Sequence, residues 1–248
     1  MLAVFKREFK ACFTNPLGFV ILAVFYFFTG FMFSNYYSAG LPYVEYSIIG
    51  IAQILLFITP VITMRLFSDE RRQKTDQVLF TAPVKLINIV FGKFFAALAF
   101  YAIGFAPTIV YEIIVLSYVS VNIFYYIYAL IGILLFGAAL ISIGMFVSSI
   151  TESPIMSIII TLVVNIFIML SGSFASAINA PAANNWFTKI IAWIIERFAD
   201  FVGGMNFTSV LESFGNQVFV VKDMVYFVSI TAAFIFLTER SLEKRRWS

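Results

Sequence analysis

The chain has 248 residues, 62% of them hydrophobic and 19% aromatic, with only 12% charged and a formal net charge of +3. A soluble domain carries about 25% charged residues, so this chain cannot cover a core with solvated side chains, and a disordered chain would be more polar still. With a single cysteine, Cys12, and no histidine, an internal disulfide is excluded, and the usual zinc, haem and Ser-His-Asp sites lack their main ligand or base.

The chain therefore reads as an all-α integral membrane protein, a single transmembrane domain over 1–248. Its elements follow from the N-terminus. At about 100° per residue, Leu2, Phe5, Phe9, Cys12 and Phe13 share one arc, with Lys6, Arg7 and Lys10 opposite. Residues 1–16 are predicted as an amphipathic interfacial helix closed by the Asn15-Pro16 breaker. A plain basic flank of the first span is the alternative. A spanning helix needs about 20 apolar residues. Residues 17–33 supply the first; the run is too long for a signal-peptide core and no small-x-small cleavage site follows it. Residues 48–64 supply the second.

The loop 65–93 is rich in charge. Within it, Asp69–Phe80 is predicted as a helix, with Asp69 and Glu70 at its positive end. An apolar tip of Val78, Leu79 and Phe80 follows, and Pro83 closes it. Such a helix is more than topology requires and suggests docking to a partner.

The third span, 94–118, contains the one intramembrane charge, Glu112. Either Glu112 marks a functional site, or it lies near the outer interface and is solvated there, which its position close to the span's outer end favours. Spans 126–149 and 154–174 follow, joined by a tight turn at 150–153. In the outer segment 175–222, Trp186, Ile190, Trp193, Ile194, Phe198 and Phe201 keep helical spacing, and Lys189, Glu196, Arg197 and Asp200 interrupt them. The apolar run between those charges is too short to span, and tryptophan favours the interface. The expectation is an outer interfacial or re-entrant helix over 184–202, a break at Gly203-Gly204 and a short helix around 207–214. Trp186, Trp193 and Phe198 are outer-gate candidates, with a structural cap on the neighbouring spans as the alternative. The last span, 224–238, is short and calls for local thinning or snorkelling by Asp223 and Glu239.

Of the 16 Lys and Arg residues, all but Lys189, Arg197 and Lys222 fall at the two termini or in 65–93. That bias places both termini and the loop in the cytoplasm. Chemistry is sparse. Gly92-Lys93 is no phosphate loop, because Ile87 stands at its first glycine position and Phe94 where the hydroxyl belongs. No zincin, redox-dithiol or hydrolase-elbow motif occurs, no metal site is expected, and no basic patch is patterned for nucleic acid. Pro60 and Pro107 would kink their spans and open backbone carbonyls to a pathway. Small pairs in span four, Ala138/Ser142 and Gly144/Ser148, allow close helix packing, within the chain or between chains.

The run Glu70-Arg71-Arg72-Gln73-Lys74-Thr75-Asp76-Gln77-Val78-Leu79-Phe80-Thr81-Ala82-Pro83-Val84, then Gly92-Lys93, resembles the first cytoplasmic loop of ABC-2 type transporter permeases. The pattern there is E-R-x-x-G-T-x-x-x-L-x-T-x-P-[VI] followed by G-K; Lys74 departs from its usual glycine. The C-terminal runs 223–227 and 242–247 resemble the gliding-motility-associated branch. The resemblance implies an ABC-2, type V exporter-like architecture: six spans, an N-terminal interfacial helix, a cytoplasmic coupling helix and outer helices before the last span. It further implies a non-enzymatic permease subunit in a bacterial cell membrane, working by alternating access, in the direction of export. Its partners would be two ABC ATPase subunits carrying ATP and magnesium, a second permease subunit, the lipid bilayer and an extracytoplasmic accessory protein. Glu70, Arg71, Arg72, Thr75, Leu79 and Phe80 would dock the ATPase, flanked by Leu2, Phe5 and Phe9. A secondary transporter or other polytopic protein independent of an ATPase is the alternative; it would need coupling charges near the midplane, where only Glu112 is on offer.

Overall fold

A computed structural model describes residues 1–41, 43–74, 85–117, 123–178, 186–215 and 220–246. These residues form helices and no strand, and six of the helical stretches are long and apolar enough to cross a membrane.

Helix α1 (Leu2–Thr14) turns into α2 (Pro16–Ser38) at Asn15, whose extended backbone breaks the helix and whose side chain accepts from the Leu17 amide at 3.2 Å. Pro16 then starts α2 without wasting a donor. The elbow is tight: a Cβ on Gly18 would lie 1.8 Å from the Cys12 carbonyl oxygen. On α1, Phe5 and Phe9 stack at 5.6 Å, and Phe13 meets Phe100 edge-on at 5.6 Å. Phe13 therefore meets the bundle and Phe5 and Phe9 are half-buried, while Leu2, Lys6 and Lys10 stay exposed.

Helix α3 (Tyr43–Thr63) leads into the short α4 (Ser68–Arg72). Here the structure corrects the expected helix over Asp69–Phe80: it ends at Arg72, and Lys74 adopts a left-handed φ of 55°. That conformation costs a side-chain-bearing residue of the order of 1 kcal/mol, and it falls where the resembling pattern carries glycine. The rest of that stretch, with Thr75, Leu79 and Phe80, lies outside the described residues.

The third span starts earlier than expected. Helix α5 (Leu86–Gly104) takes Lys93 inside it, and the span breaks at Phe105 before α6 (Ala106–Leu116), where Pro107 sits in the first turn. Helices α7 (Ile123–Ile150) and α8 (Pro154–Ala177) form a hairpin. Span α7 is central, with Ala129, Phe136, Ala139, Leu140, Ile141 and Met145 fully buried. It packs on α3, α5 and α8 and on α11 (Val221–Arg246). At 26 residues, α11 is about 39 Å long, longer than the apolar stretch 224–238 that it contains. It runs past Asp223 and Glu239 because its charges emerge at its ends, where Arg240 pairs with Glu243.

The outer segment divides. Helix α9 (Trp186–Gly204) packs on α8 through Ala192, Val202 and Gly203, leaving Trp193 and Phe198 exposed. Helix α10 (Phe207–Gly215) turns back into the bundle. Phe207, Leu211 and Phe214 are buried, and Phe214 stacks on Tyr128 at 4.5 Å. Gly132 makes the seat, since a Cβ there would lie 2.4 Å from the Phe214 ring.

The prolines do not open carbonyls to a pathway. Pro60 frees the carbonyl of Leu56 one turn earlier, and Asn165 of α8 donates to it at 2.9 Å. Pro107 frees Ile103, which accepts from the Tyr26 hydroxyl at 3.2 Å. Each lost backbone bond is replaced by a side chain from a neighbouring span, as an apolar medium requires.

Candidate functional site

The reversal from α3 into α4 is pinned to the end of α7. Ser148 Oγ accepts from the amides of Phe67 and Ser68 at 3.1 and 3.2 Å and donates to the Met64 carbonyl at 3.1 Å. One hydroxyl thus uses its donor and both acceptor positions. Gly144, one turn earlier, lets Thr63 approach: a Cβ there would lie 2.2 Å from Thr63 Oγ1. The Gly144/Ser148 pair therefore packs within the chain.

On α4, Asp69 and Glu70 occupy the first turn and Arg71 and Arg72 the last, matching the helix dipole. Glu70 faces the bundle and completes a ring of charges. Lys93 Nζ donates to Glu70 at 2.9 Å and to Glu8 at 3.2 Å; Arg7 Nη2 donates to the same two carboxylates at 3.0 and 2.6 Å. Two cations and two anions alternate and sum to zero. Lys93 is 1% exposed, its third donor goes to the Leu66 carbonyl, and the Phe67 ring lies 4.9 Å from its ammonium. Every donor of a buried ammonium is thereby used, so none is left without a hydrogen bond. The Arg7 guanidinium is pushed above its already high value, first by the bond it donates to Glu8. Nearby, burial drives the Cys12 thiol up to about 11, which makes it a poor nucleophile at neutral pH.

Gly92 explains how α1 reaches this ring. A Cβ there would lie 3.0 Å from Val4 Cβ and 3.1 Å from the Met1 carbonyl oxygen, so the glycine lets α1 cross α5 closely. The other side of α4 is held by Arg71, which pairs with Glu152 at 2.5 Å and donates to the Ile150 carbonyl. Arg245 of α11 donates to that same carbonyl at 3.1 Å. Five residues of helix are thereby tied to α1, α5 and the α7–α8 turn.

The sequence-predicted docking residues accordingly separate. Glu70 and Arg71 hold α4 to the bundle, whereas Arg72, with 63% of its side chain exposed, faces outward beside Asp69 at 3.8 Å. Phe5 and Phe9 pack beneath α1, and Leu2 is exposed. Trp193 and Phe198 stand at the opposite end of the bundle; Trp186 opens α9, but its side chain is outside the described residues. Glu112 is 1% exposed, which overturns the reading of a carboxylate solvated at the outer interface. It is enclosed where α6 packs on α2 and α3.

Sequence reasoning missed Lys93 and Glu8, the centre of the ring. Lys93 read as one more loop charge, and Glu8 drew no reading beside Lys6, Arg7 and Lys10. The available signal was the Gly92-Lys93 pair at the mouth of an apolar run.

This charged platform, built on six apolar spans, agrees with the family comparison. Residues 32–238 match the family model described as "ABC-2 family transporter protein". No curated protein matches the chain. The matched region takes in α3, α4 and Lys93 together with the later spans, and the chain belongs to the ABC-2 transporter family.

Proposed function

We propose that this chain is the membrane-spanning permease subunit of an ATP-binding-cassette exporter, driven by separate ATPase subunits that hold ATP and magnesium. Two such ATPases serve a pair of permeases in a bacterial inner membrane, with both termini in the cytoplasm, the side that the Lys/Arg excess favours. The likeness of residues 223–227 and 242–247 to the gliding-motility-associated branch extends the proposal to lineage, not to cargo.

The observation that carries the reading is the Arg7–Glu8–Lys93–Glu70 ring. A helix of five residues has little stability of its own, yet this one is bound on both sides by ion pairs to structural spans. A push on its outer face, where Arg72 stands, passes through Glu70 into α1 and α5 and through Arg71 into the α7–α8 turn. That is the mechanical requirement for ATP-driven rocking of a bundle that binds no nucleotide itself. In this account Arg72 and the following residues, Thr75, Leu79 and Phe80 among them, meet the ATPase, while Glu70 and Arg71 transmit. At the other end, Trp193 and Phe198 are available to an accessory protein or to lipid beside the exit.

The test is a photo-crosslinking residue placed at position 72 or 74 in the full chain in native membranes. The expected adduct is a subunit bearing ABC nucleotide-binding motifs, absent when the probe is moved to position 193. Recovery of that subunit from 193 and not from 72 or 74 would overturn the assignment.

A further inference from the structure

Between the α1–α2 elbow and the α3–α4 reversal lies a cavity of about 380 Å³, lined on the α5 side by Lys93 and Phe100. Its polarity is graded. Toward the bundle interior it is walled by Leu17, Ile21, Val61 and Ile62; at its mouth stand the charge ring and the Arg65–Asp69 pair. The cavity opens where an amphipathic helix meets a first span, the level of lipid headgroups. A site that is apolar at depth and charged at the rim is shaped for an amphiphile rather than for a fully polar solute.

The rim also says which amphiphile. Among the lining residues the cations Arg7, Arg65 and Lys93 are matched by Glu8, Asp69 and Glu70, so the lining itself carries no net charge to draw in an anionic lipid. Within the ring, contacts run from 2.6 to 3.2 Å, and both Lys93 and Arg7 are committed. Asp69 is held more loosely, with Arg65, 46% exposed, at 3.7 Å from one oxygen and Arg72 at 3.8 Å from the other. A headgroup bearing both signs satisfies the Arg65–Asp69 pair best, a phosphate on Arg65 and an ammonium on Asp69. Charge-assisted hydrogen bonds require N–H donors, which a primary ammonium has and a quaternary one lacks.

We infer that this cavity binds one phospholipid with a zwitterionic, primary-amine headgroup, its phosphate on Arg65, its ammonium on Asp69 and its proximal chain against Ile21 and Ile62. Seated there, the lipid braces the elbow against α4.

The experiment is native mass spectrometry of the full-length protein released from nanodiscs holding equal parts phosphatidylethanolamine, phosphatidylcholine and phosphatidylglycerol. One phosphatidylethanolamine per chain should persist under activation, enriched about tenfold over phosphatidylcholine, the factor that 1.4 kcal/mol gives. Asp69→Ala should bring the two lipids near parity, Ile62→Trp should remove the adduct by filling the cavity, and Arg240→Ala, remote from it, should change nothing. Should Ile62→Trp fail to accumulate, Asp69→Ala decides. Equal retention of all three lipids by the wild type, phosphatidylglycerol in preference, or an unchanged lipid profile in Asp69→Ala would each overturn the inference. None of those results bears on ATPase docking at Arg72.

Discussion

Lys93 is the residue on which the cytoplasmic-end architecture turns. Its charge lies within a helix long enough to span, a placement tolerated only because Glu8, Glu70 and the Leu66 carbonyl accept hydrogen bonds from all three of its N–H groups. Removing the ammonium leaves two carboxylates facing each other with only Arg7 between them. Breaking such a buried pair costs about 3–5 kcal/mol, here toward the lower end because both glutamates keep some contact with solvent. Lys93→Met should therefore lower the midpoint of thermal unfolding in detergent by several degrees, and Lys93→Met/Glu70→Gln should recover part of the loss. A Lys93→Met protein as stable as the wild type would show the ring to be incidental. Lys93→Arg is not expected to rescue, because a planar fork cannot reach three partners arranged around a compact ammonium.

At the scale of elements, the outer helices make opposite predictions. Helix α10 is inserted: Phe214 is fully buried against Tyr128, over a glycine that leaves room for it. Phe214→Ala should cost about 3–5 kcal/mol, as for other buried aromatics. Trp193 and Phe198 on α9 are each more than half exposed, so Trp193→Ser with Phe198→Ser should leave the unfolding midpoint within a degree or two of wild type. If the double serine variant instead fails to fold, those side chains are a structural cap. The spans themselves were legible because their apolar runs and the Asn15-Pro16 and 150–153 breaks are written in composition. The prolines were legible as irregularities, but not their repair, since nothing in the sequence pairs Asn165 with Leu56 or Tyr26 with Ile103. Likewise the third span appeared to start after Lys93, because hydropathy counts a charge as an end and cannot see its neutralisation by Glu8, distant in the chain. The helix expected over Asp69–Phe80 stopped short because Lys74 is left-handed, a backbone choice that a lysine does not announce. Glu112 was misjudged by counting residues toward the outer end, whereas its face of α6 packs on α2 and α3.

Across the whole molecule, a central span, α7, is surrounded by α3, α5, α8 and α11, with mechanical connections concentrated at the end that carries both termini. Exposed apolar side chains such as Phe19, Phe27, Ile155, Ile159, Val225 and Phe236 line α2, α8 and α11, as the lipid-facing surface of a spanning bundle does. The ring, the Ser148 pin and the Arg71 clasp tie α4 to the spans on both sides, which is what the proposed role as a lever requires. The central claim is that force enters at Arg72 and reaches the spans through Glu70. It is tested most directly by measuring ATP hydrolysis of the cognate ATPase, co-reconstituted in proteoliposomes with the wild type or with Glu70→Gln. The account predicts that the ATPase still binds the Glu70→Gln permease while hydrolysis no longer responds to it, falling several-fold toward the rate of the ATPase alone. Hydrolysis equal to that of the wild-type complex, at equal binding, would contradict it.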